Sequence, residues 1–591
     1  MTTEADQTIS EHTDDQQTVT IAAGCSFDMR CAFSQHAMNA DLDYVVVDFL
    51  TEGTMARLAL ARMQDAERGF AEHMLSADAL DFLPRMLENG TKLVTNAGGL
   101  APVRCAELLQ EALRQRGSDP VIAVVDGDEF AFPDGDATVV CRNAYLGAGP
   151  IAAALDMGAQ IVITGRVVDS ALTVGPLLHE FGWDLDNYEV LGKATLIGHL
   201  LECGAQPTGG VHSDWWGVDW SCSSFPIAEC AADGSAVLGH SGGGGLISVG
   251  SIAEQILYEI DDPSRYLMPD VTCDLSGVFL SELPDGRIAL AGATGRAPSG
   301  ALKVNSFIQD GWRARFGAVV SGPDSAEIAD RSAAVLHTRV AALLAEQGWC
   351  DDLEFHCELL TGQPVINGVP ALRLETMLRL VVDHREREAL EHLLLTATAS
   401  SVAMGPGTSA PLISQLEPLL VMRSELVDRN MIIPMVRRLG EAPVPVPFVP
   451  LTAGSEPSIG AEAVTQVSAS AIVAAAAASV VSDANLLSDL AYLRSGDKGA
   501  IANIGVIARA GVPLATLDAL VSEERVRAWF RQTAPEMEIS RVRRFLLPGL
   551  SAVNLVLDGA LGGGAVSSPR TDTMGKGLAP VLGAMPVDFS G

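Results

Sequence analysis

The 591-residue chain holds 39 Lys and Arg against 74 Asp and Glu, a formal charge of −35, which repels a phosphate backbone and excludes nucleic acid as a natural partner. With 48% apolar and 19% charged residues it has the composition of a packed, enzyme-like protein of two to four domains. No basic patch and apolar core open the chain, and the Ala-rich stretch 469–481 is too short to span a bilayer, so a cytoplasmic protein with no membrane partner is expected.

In chain order, residues 1–18 carry five acids, no Lys or Arg and no apolar period, and read as a disordered acidic tail. An N-terminal α/β domain is expected over 19–268. Its phrase is a Val- and Ile-rich run, a polar break and an amphipathic stretch, repeated at YVVVDFL from Tyr44, KLVTNAGG from Lys92, VIAVVDGD from Val121 and QIVITGRVVDS from Gln160. Runs that are apolar throughout predict a mostly parallel sheet buried on both faces by flanking helices.

Polar residues recur where these runs end: Asp48 and Glu52, Asn96, Asp126 and Asp128, Arg166 and Asp169. Strand carboxyl ends share one edge of a parallel sheet, where ligands bind, although Asp and Asn there also cap helices. The five carboxylates are candidate acids or bases. Asn96 and Arg166 are candidates for carboxylate binding and oxyanion stabilisation, Arg through its two-pronged guanidinium.

Further motifs follow. GAGPIA at 147–152 has the GxGxxA form of a dinucleotide loop, but Arg142 and Asn143 interrupt the run before it. His199 and Glu202 stand three residues apart, and Trp215, Trp216 and Trp220 cluster. GHSGG at 239–243 matches GxSxG, which makes Ser241 a candidate nucleophile only if a His and an acid reach it. The loop, with Gly243 and Gly244, is also a candidate anion cradle, with His240 as acid or base. Ten scattered cysteines and no paired ligand spacings point to no metal site.

A middle α+β domain is expected over 269–442, with one hairpin turning at Pro284–Asp285–Gly286 and a second, LKVNSFIQDGWRARFGAVV, turning at Asp310–Gly311. Residues 443–482 read as a linker. The C-terminal domain, 483–591, opens with LAYLRSGDKGAIANIGVIAR, two strands about an SGDKG turn. Only five lysines occur in the chain, and two of them, Lys498 and Lys576, sit beside glycines here. Arg494, Ser495, Asp497, Lys498 and Asn503 form either a well-made turn or a small binding site, depending on whether they face solvent or an interface.

In order, VTNAGGLAP, NAYLGAGPIAAAL, VITGRVVDSAL, GHLLECGAQPTGG, GGLISVGSIAEQILYEIDDPSRYLMPDV, LKVNSFIQDGW, LAYLRSGDKGAIANIGVIAR and LDGALGGG resemble the acyclic terpene utilisation (AtuA) family over about Ala22 to Leu582. The resemblance implies an N-terminal α/β region and a ferredoxin-like α+β C-terminal domain. It also implies catabolism of branched substrates carried as CoA thioesters, with lyase or hydratase chemistry on an acyl-CoA or related carboxylic acid. GHSGGGG departs from the family's usual Pro before Gly-Thr-Gly, which counts against Ser241. A GxSxG hydrolase and a non-catalytic scaffold are the alternatives. No bound cofactor is expected beyond CoA as substrate carrier, and the chain is expected to form a homo-oligomer.

Overall fold

The computed structural model describes residues 17–129, 138–349, 353–400, 404–410, 412–413, 416–451 and 484–588. Residues 1–16 of the expected tail, the Ala-rich stretch 469–481 and most of the expected linker lie outside them. No helix among the described residues is long and apolar enough to cross a membrane.

Eight strands build the N-terminal part: β1 (Thr18–Ala23), β2 (Tyr44–Val47), β3 (Lys92–Thr95), β4 (Ile122–Asp126), β5 (Val139–Ala144), β6 (Ile161–Thr164), β7 (Pro226–Ala231) and β8 (Ala236–His240). Thr18, at the end of the expected tail, already opens β1. Strands β1, β2, β3, β6 and β4, in that spatial order, are parallel. Every residue of β2 and β6 is buried, as unbroken apolar runs demand of a sheet covered on both faces.

Antiparallel strands extend this sheet on both sides. The hairpin Phe279–Glu282 and Ile288–Ala291 turns at Pro284–Asp285–Gly286 and joins through β8 and β7, while Met435–Arg438 joins β4 at the far edge. The sheet therefore runs across the expected boundary at residue 269, while the middle region's own two-stranded sheet is only the short hairpin Val365–Ile366 and Val369–Pro370. Strand β5 in turn leaves the first sheet to pair with residues 304–308.

The second expected hairpin is not one. Residues Ala301–Ser321 form a single 21-residue strand. Its first half pairs with Glu417–Asp428 and its second with Glu375–His384, and Asp310–Gly311 forms a bulge between them. Gly311 takes φ +107°, and a Cβ there would lie 2.6 Å from the His384 carbonyl oxygen. Asp-Gly supplies the same backbone freedom to a bulge as to a turn, and distant partners decided which formed.

The C-terminal domain is an antiparallel sheet in the order Ala491–Lys498, Ile501–Ala508, Ala552–Asp558, Arg541–Leu547, with helices Leu514–Leu520 and Glu523–Thr533 between the two hairpins. Its first two strands are sequential neighbours, a rearrangement of the usual ferredoxin-like order. Ile507, Leu547, Leu550 and Ala552 join the core of the N-terminal sheet, so the apolar interior continues across the junction.

Polar contacts fix that docking. Asn503 accepts from the Glu259 amide at 2.9 Å and donates to the Leu257 carbonyl at 2.5 Å and to Asn554 at 3.0 Å. Asn554 donates to the carbonyls of Ile260 and Asp261. Asp214 holds Arg509 through two hydrogen bonds, and the Ser213 hydroxyl accepts from the Leu493 amide at 2.9 Å.

Candidate functional site

Between the carboxyl edge of the parallel strands, the start of the strand Ala301–Ser321, residues 261–269 and the C-terminal domain lies a cleft of about 460 Å³. Val168, Leu267, Met268, Ala301, Leu302 and Leu426 give it an apolar wall. Asp169, Lys303 and Lys498 also line it.

Of the polar residues at the strand ends only Asp169 lines the cleft; Asp48, Asn96 and Arg166 lie outside its lining and connect to it through Asp169. Asp48 directly follows β2 and Asn96 directly follows β3. Asn96 is fully buried, accepts from the Phe49 amide at 2.7 Å and donates to Asp48, whose Oδ1 also accepts from the Leu50 amide at 3.0 Å. Two residues past β6, Arg166 is buried over the Tyr145 ring at 4.0 Å and donates to Asp169 at 2.9 Å. The Asp48 carboxyl is pushed up to about 7 by burial and by Asp169, against the pull of Arg166 and the Asn96 bond. Burial works against the charge on Arg166, but Asp169, Tyr145 and Asp48 outweigh it and keep the guanidinium charged.

Glu52 faces Lys303 at 3.6 Å. Burial opposes its charge, yet Lys303, Lys498 and Arg166 bring its carboxyl below the usual range. Lys498 projects from the SGDKG hairpin into the same cleft: its surface is accessible, but through a concavity walled by protein. Its ammonium makes no hydrogen bond or ion pair among the described residues. Burial alone would lower its pKa, but Glu259, Glu52, Glu202 and Asp169 raise it above the ordinary lysine value. A lysine held as a cation binds anions and does not serve as an amine nucleophile.

Beside it, Asp497 is buried and its carboxyl is pushed up to about 7 by burial and Glu259, with Lys576 opposing and Glu52 adding to the rise. Lys576 reaches Asp497 at 3.4 Å and Glu259 at 3.5 Å, and donates to the Tyr258 hydroxyl. Arg494 donates to Gln206 and lies over the Tyr258 ring at 4.3 Å. Ser495 receives the Ala579 amide at 3.1 Å. Arg494 and Asn503 thus secure the junction, Ser495 ties its strand to the helix Leu578–Gly583 of the same domain, and Lys498 lines the cleft.

Several expected residues go elsewhere. Asp126 pairs with Arg437 at 2.5 Å and clamps the edge strand. Asp128 is buried at 2.8 Å from Asn143 and 2.9 Å from the Arg166 amide, so it shapes the loop that carries Arg166. Ser241 lacks the partners of a nucleophile among the described residues: its hydroxyl donates to Gln35 and accepts from the Phe225 amide, and no His or carboxylate there bonds to it. His240 pairs with Ser224 at 2.8 Å, and Gly243 and Gly244 pack on Cys222 and Asp219. That loop ends β8, on the antiparallel flank of the sheet, and does not line the cleft.

Arg142 and Asn143 belong to β5, so a strand does precede GAGPIA. A pyrophosphate is excluded instead by Asp270, whose carboxylate accepts from the Ala148 amide at 2.6 Å and fills the space beside Gly147. The three tryptophans stack on one another at 3.6 and 5.4 Å, outside the cleft.

Tyr145, Tyr266 and Lys303, which line the cleft, escaped the sequence, as did the part played by Glu202, which does not line it. Lys303 sits in a stretch that reads as strand interior, and Tyr145 in the break before GAGPIA. Glu202 was visible only as one of a pair with His199, which it binds at 3.0 Å. Its influence on Lys498 and Asp169 comes from the fold.

A parallel sheet whose carboxyl edge meets a second, ferredoxin-like domain over a charged cleft defines a two-part α/β protein with its site at the junction. Residues 18–437 match the family model described as acyclic terpene utilisation family protein AtuA, and residues 485–588 match the AtuA ferredoxin-like domain. The chain belongs to the AtuA family. No curated protein matches it. Among solved structures, the de novo designed protein Foldit4 is 13% identical, with 19% of this chain and 94% of that one covered and a TM-score of 0.12. A putative amidohydrolase/peptidase from Burkholderia cenocepacia is also 13% identical, with 39% and 58% covered and a TM-score of 0.12. Likeness that slight carries no argument.

Proposed function

We propose that the chain is a lyase or hydratase acting on a branched, isoprenoid-like acyl-CoA or related carboxylic acid. The observation that carries this reading is a carboxyl held near neutrality, Asp48, coupled to a fixed Arg166–Asp169 pair whose Asp169 lines, with two lysines, a cleft with an apolar wall. Hydration or carbon–carbon cleavage beside a thioester requires a group that exchanges a proton near pH 7, cations that receive developing oxyanion charge, and room for a branched chain. Asp48 moves the proton. Asn96 and Arg166 orient it, and Lys498 and Lys303 receive the negative charge of the substrate. Arg265, which lines the cleft and whose guanidinium has no partner among the described residues, is the cation available to a phosphate of the CoA carrier.

The test is incubation of the full chain with a panel of branched acyl-CoAs and free acids, followed by mass spectrometry of the products. Addition or loss of water, or cleavage, on at least one branched substrate is expected, and Asp48→Asn lowers it by about a hundredfold or more. Folded protein that turns over nothing in the panel would overturn the reading.

A further inference from the structure

Tyr266 lines the cleft but has no part in the roles assigned so far. It opens the short strand Tyr266–Leu267, which pairs with Thr272–Asp274. Its ring meets the His199 ring edge-on, with centroids 5.8 Å apart. His199 is itself immobilised: Nδ1 faces Glu202 at 3.0 Å and Nε2 faces the Gln255 carbonyl at 2.9 Å. The two contacts fix the orientation of the ring; burial would lower its pKa, but Glu202 raises it above the ordinary histidine value. This buried pair gives the Tyr266 ring a rigid backing.

The Tyr266 hydroxyl makes no hydrogen bond among the described residues. Burial and the nearby carboxylates of Glu202 and Asp169 hold the phenol protonated. It is therefore a donor facing the cleft without an acceptor. Lys498 is a second such donor lining the same cavity, and Glu202, Asp169 and Glu259 act on both side chains. One donor is neutral and rigid and the other is charged, and neither is spent on the protein. A cavity with two idle donors above an apolar wall is suited to a carbonyl-type oxygen that carries negative charge.

We propose that Tyr266 Oη and Lys498 Nζ form an oxyanion site that takes the carboxylate of a branched free acid, or the thioester oxygen of its CoA ester as charge develops on it. This rests on the reading of the cleft as a site for such acids, and it adds a residue and a ligand geometry to that reading. Calorimetric titration of the full chain with 3-methylbut-2-enoate, its CoA thioester and 3-methylbut-2-en-1-ol tests it. The acid and thioester arms separate the two sources of the oxygen, and the alcohol has the same carbon skeleton without an oxyanion.

The acid or the thioester is expected to bind, with affinity falling about tenfold in Tyr266→Phe and about a hundredfold in Lys498→Met, as loss of a neutral and a charged donor implies. Alcohol binding changes less than twofold, and Ser241→Ala, away from the cleft, binds all three as the parent does. Should Lys498→Met not fold, Tyr266→Phe decides alone, since it removes one oxygen. Parent-like affinity for acid and thioester in Tyr266→Phe, or no binding of either by the parent, overturns the proposal. Binding that depends on Tyr266 without turnover would sink the lyase or hydratase reading while leaving the oxyanion site intact.

Discussion

At the scale of the residue, the site turns on which side chains are already satisfied by the protein. Asp48 is held by Asn96 and the Leu50 amide, yet burial and Asp169 keep its proton labile near pH 7. If it is the base, the rate per molecule climbs as pH rises through about 7 and flattens above. Asp48→Asn lowers turnover by about a hundredfold or more and removes that limb, which a pH profile of the two proteins would reveal. Ser241→Ala is expected to stay within twofold of the parent in the same assay, because Ser241 serves only Gln35 and Phe225. Asp48, Asn96 and Arg166 were legible in the sequence because each ends an apolar run, and the scarcity of lysine drew attention to Lys498. Tyr266 and Lys303 were not, since a single polar side chain inside a strand has no local signature. GxSxG misled because a five-residue pattern specifies a turn but not the distant partners that make a nucleophile.

Among the elements, the parallel strands could be read from the sequence while their neighbours could not. Each apolar run carries its own burial pattern, but pairing is set by contacts hundreds of residues away. The two Gly turns show the difference. Pro284–Asp285–Gly286 joins strands that pair with each other, whereas Asp310–Gly311 joins halves of one strand that find Glu417–Asp428 and Glu375–His384 instead. The bulge makes a specific demand: Gly311→Ala puts a Cβ 2.6 Å from the His384 carbonyl oxygen at a φ of +107°. We expect it to cost about 1–3 kcal/mol, read as a lower denaturant midpoint with an unchanged slope. A midpoint equal to the parent's would mean that the bulge is not rigid. Gly496→Ala probes the other junction, since its Cβ would fall 2.7 Å from Tyr258 and Glu259, and it is expected to loosen the C-terminal domain by a similar amount.

For the molecule as a whole, joining two domains over a charged cleft leaves a pH signature. Asp48 and Asp497 are pushed up to about 7, and Asp128 to about 6, by burial first of all. In the unfolded chain such groups titrate near 4. Between about 4 and 7 the native state therefore keeps protons that the unfolded state has released, and stability falls as pH rises through that window. Two groups complicate the lower part. His36, whose pKa burial brings down to about 4, acts in the opposite sense between about 4 and 6.5, and so does Glu52 below its ordinary value, since its lysines pull it down despite burial. Above about 6.5 the remaining fall belongs to Asp48 and Asp497, together with the imidazolium of His199, which Glu202 holds up against burial. Thermal midpoints of the full chain at pH 6, 7 and 8 should decrease in that order. Asp497→Asn should show a shallower decline, because Lys576 and Glu259 then face a group that no longer ionises. The self-repulsion of a chain at −35 also grows with pH, but it is common to both proteins, so the difference in slope isolates Asp497. Parallel declines in the two proteins would show that Asp497 ionises as freely in the folded chain as in the unfolded one.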